Sequence, residues 1–275
     1  MTKEPLVSVI IPNYNHQEYL NQRIDSILNQ SFQDFEIILL DDKSTDNSLD
    51  ILKSYAKHEK VSHLIINEKN SGSPFKQWFK GINLAKGKYI WIAESDDYSS
   101  PLFLEKTVKK LKSELRPDIV FVGTTNVNSA NENIGNTTRI ERKHNSLLSK
   151  NFFMKGKNLL FYFIPDYCII RNVSSSIFKK EIIERIPKTI LNFSVIGDFY
   201  FWTKLCLQKN SFMYLSEKLN FMRNHFNNVR NNKQLSRKKN NEFKKIHLRI
   251  FWDINSSLKI KFQILKFYIL KMLFL

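Results

Sequence analysis

Two cysteines in 275 residues, Cys168 and Cys206, cannot build a disulfide framework, and they carry no metal-type spacing. A reducing compartment is therefore expected. No uninterrupted apolar run approaches the ~20 residues of a membrane span. The opening residues, Met1-Thr2-Lys3-Glu4-Pro5, lead straight into an apolar run, without the basic and apolar regions of a signal peptide. No glycine-rich phosphate loop followed by lysine lies near that run, which argues against a nucleotidyltransferase of that design. Internal repeats are absent. The length suits one large domain, or one domain with an appendage.

Positive charge is abundant but uneven. The formal net charge is +17, yet residues 1–100 hold 11 Lys/Arg against 14 Asp/Glu, while residues 226–275 hold 12 against 2. Such asymmetry predicts a basic tail that meets an anionic surface.

The first hundred residues carry the chemistry. Val7-Ser8-Val9-Ile10-Ile11-Pro12-Asn13-Tyr14-Asn15, Ile37-Ile38-Leu39-Leu40-Asp41-Asp42 and Tyr89-Ile90-Trp91-Ile92-Ala93-Glu94-Ser95-Asp96-Asp97 are short apolar runs, and the second and third end in acids. Such runs fit parallel strands buried on both faces. Ligands of open α/β sheets bind at the carboxyl ends of the strands, so Asp41, Asp42, Glu94, Asp96 and Asp97 are expected on one rim. Carboxylates that close repel one another unless a cation or ligand donors sit among them.

Between and beyond these runs the pattern alternates. Helices are expected with Leu20, Ile24, Ile27 and Leu28, then Leu49, Leu52, Tyr55 and Ala56, on their inner faces, and over Phe75–Ala85, after Ser100-Pro101 and over Asp198–Gln208. Further strands are expected at Val61–Ile66, Asp118–Gly123, Ser174–Phe178 and Phe212–Leu215. Residues 125–151, rich in Asn, Ser, Thr and Lys, read as a long mobile loop.

Together these pieces resemble family 2 glycosyltransferases, inverting enzymes of the GT-A fold that use nucleotide-sugar donors. The matching segments are Val9–Asn15, Leu40–Asp46, Gly72 with Ala85-Lys86-Gly87-Lys88-Tyr89-Ile90, Glu94–Asp97 and Gly197–Trp202, in order over residues 6–226. The resemblance implies a Rossmann-like, mostly parallel sheet flanked by helices. It divides the chain into a GT-A domain over 1–226, with a nucleotide half over about 1–100 and an acceptor half over about 101–226, and a basic helical tail over 227–275.

The resemblance also implies roles. Pro12 and Tyr14 would border the nucleobase, with Tyr14 stacking on it; the plainer reading is a turn that covers the sheet end. Asp42 would contact uracil or a related ring, and Asp41 would lie nearer the ribose. Asp46 reads as a helix cap. Glu94-Ser95-Asp96 stands where the family has Asp-x-Asp: Asp96 would bind Mg²⁺ or Mn²⁺, Glu94 would face the ribose or sugar, and Asp97 would cap the next helix. Many relatives carry Ala-Arg-Asn where this chain has Gln77-Trp78-Phe79, so Lys76 is the nearest cationic substitute for a phosphate contact, or simply a solvated lysine. Gly197-Asp198 replaces the usual Glu-Asp and keeps Asp198 as general base, or as a helix N-cap, or both. His225 would stand near the phosphates and metal, although a lone histidine is more often structural.

The expected partners are a nucleotide-sugar donor and a saccharide or lipid-linked acceptor in cell-surface polysaccharide assembly, at the inner face of a membrane. In the tail, Lys259, Gln263 and Lys266 cluster on one side of a helical wheel, and Leu258, Ile264, Leu265, Ile269 and Met272 fall away from them. Phe262, Phe267 and Phe274 extend the apolar surface. Residues 233–275 would lie on anionic lipid, or pack on the catalytic domain or on a second copy of the chain. The rival reading is a basic membrane- or nucleic-acid-binding protein on an inactive scaffold. Nucleic acid is disfavoured because the basic excess sits in the tail and the acidic rim repels phosphate.

Overall fold

The protein is described from a computed structural model that covers residues 4–135, 142–164, 168, 170–225, 235–253 and 255–273. The boundary drawn at 226/227 and Phe274 lie outside these residues, as does the side chain of Met272.

The chain runs β1 (Val7–Asn13), α1 (Gln17–Leu28), β2 (Phe35–Asp41), α2 (Ser48–Tyr55), β3 (Val61–Ile66), α3 (Pro74–Leu84), β4 (Tyr89–Ile92), β5 (Tyr98–Ser99) and α4 (Phe103–Leu111). It continues through β6 (Ile119–Val127), β7 (Phe152–Lys155), α5 (Gly156–Phe163), β8 (Ser176–Lys179), α6 (Gly197–Leu207), β9 (Ser211–Arg223), α7 (Ser236–Trp252) and α8 (Leu258–Leu273). Together these elements make a mixed α/β fold around one central sheet.

The sheet order is β3-β2-β1-β4-β8-β6-β9-β5, with β7 added to β9. Strands β3, β2, β1 and β4 are all parallel, whereas β8 runs antiparallel to both β4 and β6. Every residue of β1 and β2 is buried, which accounts for their unbroken apolar runs. Alternate residues serve two cores. Ile10, Ile38 and Ile92 face Trp78 and Phe201 on one side, while Val9, Ile37 and Trp91 face Leu20, Ile24 and Phe103 on the other. Parallel pairing aligns the carboxyl ends of β1, β2 and β4, so the segments that follow them share one edge.

Several elements were hidden in the sequence. The segment read as a loop over 125–151 starts with the end of β6, and Asn145–Leu148 makes one helical turn. Strand β9 extends far beyond Phe212–Leu215, because its pairing with β6 continues through irregularities around Gly123. The exposed Glu217 and Lys218 break the apolar pattern there without breaking the strand. The helix expected from Ser100 begins at Phe103. Asp46 is not the N-cap residue of α2, but its carboxylate accepts the N–H groups of Ser48 and Gln17, each at 3.0 Å.

The basic tail is packed on the α/β body. Phe243 of α7 stacks on Phe199 of α6 at 5.1 Å, Arg249 lies 5.7 Å over the Tyr200 ring, and Lys204 pairs with Asp253. His247 Nδ1 meets the Tyr268 hydroxyl at 2.9 Å and joins α7 to α8. Ile246, Ile250, Ile260 and Ile264 are buried. The apolar face expected on the wheel is therefore split: Ile264 turns inward, whereas Leu258, Leu265 and Ile269 are exposed. A helix apolar on several sides can bury only the stripe that its neighbours reach.

Candidate active site

The loops that follow β1, β2 and β4 meet the start of α6 around a cleft of about 670 Å³. Pro12, Tyr14, Asp42, Glu94, Ser95, Asp96 and Asp198 all line it. Tyr14 is 45% exposed, so its ring is available to a ligand. Beside it, Asn15 has φ of 55° and accepts the Thr45 N–H at 2.7 Å, which fixes the turn. Asp42 is buried and heavily held. One carboxylate oxygen accepts from Asn67 (2.6 Å), the Ser71 N–H (2.8 Å) and Gln77 (2.8 Å), and the other from the Ser71 hydroxyl (2.8 Å). Gln77 is thus spent on orienting Asp42.

Three expected residues, Asp41, Lys76 and His225, are not among those that line the cleft. Asp41 is buried, and its oxygens accept from Asn13 (3.1 Å), the Ser44 N–H (2.9 Å) and the Ser44 hydroxyl (2.6 Å). It ties the ends of β1 and β2 together and is not among the residues that line the cleft. The Lys76 ammonium donates to the Ser71 carbonyl at 2.9 Å and is not among the lining residues. The solvated reading of that lysine describes it better than a phosphate contact.

Electrostatic tension concentrates after β4. Glu94 accepts the Trp78 indole N–H at 2.7 Å. Protein surrounds Glu94 although part of it faces the cleft; burial and the neighbouring Asp96 push its pKa up to about 8, against the indole bond. Asp97 is pushed up to about 6 by burial and Asp96, although Arg23 and bonds from Asn172 (2.5 Å) and Ser174 (2.8 Å) oppose the shift. Asp97 also accepts the Arg223 N–H at 3.0 Å, so it binds strands together rather than capping a helix. For Asp96, burial pushes upward, but the hydrogen bond from His225 and the charge of His16 outweigh it and hold the group below the usual range.

Two residues that sequence reasoning did not single out complete this cluster. Arg23 of α1 is fully buried with its guanidinium 5.0 Å over the Trp91 ring. Its guanidinium nitrogens have no hydrogen-bond partner among the described residues. Burial draws its pKa down to about 10, opposed by Asp97, Asp96 and Glu94, so it acts as an internal counter-charge beneath the acids. His16 bonds Ser95 Oγ through Nδ1 at 2.8 Å, and its ring lies 5.5 Å from that of His225. The signal available for His16 was its place in the turn directly after β1. Nothing in the apolar pattern of α1 distinguished Arg23 from a solvated arginine.

His225 Nε2 lies 3.1 Å from Asp96 Oδ2, and ligand atoms of His16, Asp96 and His225 all fall within 4.8 Å of one another. Two imidazoles and a carboxylate are a chemically competent donor set for a divalent ion. Across the cleft, Asp198 stands in the first turn of α6 with one oxygen accepting the Phe199 N–H at 2.8 Å. A Cβ on the preceding Gly197 would sit 2.5 Å from the buried Phe75 ring, so any larger residue there would have to displace that ring. From the tail, Leu235 and Lys238 also reach the cleft.

Residues 8–180 match the model of the glycosyl transferase family 2. The chain is 44% identical over 96 residues to the poly(ribitol-phosphate) β-glucosyltransferase of Bacillus spizizenii, a match covering 34% of this chain and 15% of that protein. It is 34% identical over 137 residues to the hyaluronan synthase of Pasteurella multocida, covering 50% of this chain and 14% of the synthase. The matched stretches are thus a small part of those relatives. The fold is similar to that of S. aureus TarS 1–349 in complex with UDP-GlcNAc, with a TM-score of 0.69 and 20% identity over 90% of this chain and 67% of that one.

Proposed function

Since this chain belongs to glycosyl transferase family 2, we propose that it moves a sugar, with inversion, from a nucleoside diphosphate sugar to a hydroxyl of a saccharide or lipid-linked saccharide. The observation that carries this reading is the convergence of Tyr14, Asp42, Asp96 and Asp198 on one cleft. UDP is the favoured nucleotide, because neighbours in fold are complexes with UDP and UDP-GlcNAc. Tyr14 offers a face for base stacking, and the fixed Asp42 carboxylate reads the ring edge. Asp96, His225 and His16 would hold Mn²⁺ or Mg²⁺, which supplies charge neutralisation of the departing diphosphate. Two imidazoles favour Mn²⁺ over the oxygen-seeking Mg²⁺. Asp198 takes the proton of the acceptor hydroxyl as that oxygen bonds to the anomeric carbon, and the bond to the diphosphate breaks on the opposite face.

Purified protein is to be offered UDP-, dTDP- and GDP-sugars with Mn²⁺. Release of UDP that is lost in EDTA supports the reading; absence of turnover with every donor contradicts it and favours an inactive binding scaffold.

The tail supports a second, independent contact, with an anionic membrane surface. Among the described residues no helix is long and apolar enough to cross a membrane. Trp252, Leu258 and Phe262 are nevertheless 76%, 85% and 66% exposed, in a region whose charge is strongly positive. Full-length protein should pellet with phosphatidylglycerol vesicles at low salt. A variant carrying Trp252→Ser, Leu258→Ser and Phe262→Ser should stay in the supernatant with its melting temperature unchanged. Equal pelleting of the two removes the membrane contact.

A further inference from the structure

Three consecutive backbone N–H groups just ahead of the α6 helix end on one side chain of the tail. Glu242, buried at 6% exposure on α7, accepts from Ser194 (2.9 Å), Val195 (3.0 Å) and Ile196 (3.0 Å), with the Ser194 hydroxyl at 3.3 Å. The N-cap residue of α6, Ile196, makes no side-chain cap bond. On the opposite side, the Ser73 hydroxyl donates to the Phe193 carbonyl at 2.7 Å. The segment 193–196 is therefore clamped from two elements distant in sequence. Ser194 and Val195 line the cleft, and Asp198 follows two residues after Ile196.

A buried carboxylate is costly unless its oxygens are satisfied. Here they are satisfied by amides at the positive end of a helix, where negative charge is favoured. Glu242 is also the lone acid of α7, among seven Lys, Arg and His residues. We propose that Glu242 is a positioning residue for Asp198: it fixes the 194–196 segment and so sets the carboxylate of Asp198 at the acceptor end of the cleft. This inference rests on Asp198 being the base. Misplacement of a reacting group by about 1 Å costs on the order of 10²-fold in rate, so a rigid support for that group has a large effect on turnover.

The test is a double-mutant cycle on the full chain, read as nucleoside diphosphate release per folded molecule together with donor Kd. Glu242→Gln keeps the shape but faces an NH₂ group toward the amides, and turnover should fall by about 10-fold or more with donor Kd unchanged. Glu242→Asp retains the charge on a shorter stem and should also lose turnover; it supplies the same comparison if the glutamine variant does not fold. In an Asp198→Asn background, Glu242→Gln should cause no further loss, because residues acting through one group are not additive. Full turnover in the Glu242 variants beside an inactive Asp198→Asn overturns the positioning role alone, as do losses that multiply in the double variant. Full turnover in Asp198→Asn removes the base reading itself, and the proposal with it.

Discussion

Asp198→Asn lowers turnover by about 10²-fold or more and leaves donor affinity unchanged. Asparagine keeps an oxygen that can accept the Phe199 N–H, now made at 2.8 Å, so the first turn of α6 is preserved. What asparagine cannot do is accept the proton of the attacking hydroxyl. The effect should therefore fall on kcat, measured with saturating donor, and not on the melting temperature. If Asp198 only capped the helix, the variant would turn over at a near-normal rate.

Asp96→Ala abolishes activity, a loss of about 10³-fold or more, given that a bound cation contributes several kcal/mol to leaving-group stabilisation. The fold should survive. Arg223 Nε donates to the Asp96 backbone carbonyl at 2.9 Å, a bond that alanine retains, and Asp97 keeps its own partners. Removing one of three crowded carboxylates also relieves Glu94 and Asp97, both of which Asp96 pushes upward. An unchanged melting temperature with lost turnover is the expected pair of results. Undiminished turnover of the unaltered enzyme in EDTA would sink the metal role of this cluster.

Much of the fold was legible in the sequence. The strands β1, β2 and β4 declare themselves because both faces are buried, so period and burial agree residue by residue. The acids that follow them had to share an edge once the strands were parallel. Asp42, Glu94 and Asp96 were expected on that edge from their positions, whereas Asp198 was singled out by the family resemblance; all four line the cleft.

The misreadings have common physical causes. Asp41 and Asp42 are adjacent and alike in sequence, but alternation along an extended chain sends one into the Asn13–Ser44 network and the other to the cleft. Of the two readings of Lys76, the solvated one fits its bond to the Ser71 carbonyl and its place off the cleft lining. Arg23 and Glu242 are charged residues on otherwise amphipathic helices, where the pattern predicts solvation; tertiary partners far away in sequence decide otherwise. The split face of α8 follows from the same limit, since a helical wheel shows which sides are apolar and not which side finds a neighbour.

The most direct test of the metal-dependent nucleotide site is a calorimetric titration with UDP, run with Mn²⁺, with Mg²⁺ and in EDTA, on the unaltered protein and on Asp96→Ala. UDP should bind with at least tenfold tighter Kd in Mn²⁺ than in EDTA, tighter in Mn²⁺ than in Mg²⁺, and Asp96→Ala should show no metal-dependent gain. A UDP affinity that is the same in Mn²⁺ and EDTA, or a gain that survives in Asp96→Ala, would contradict it.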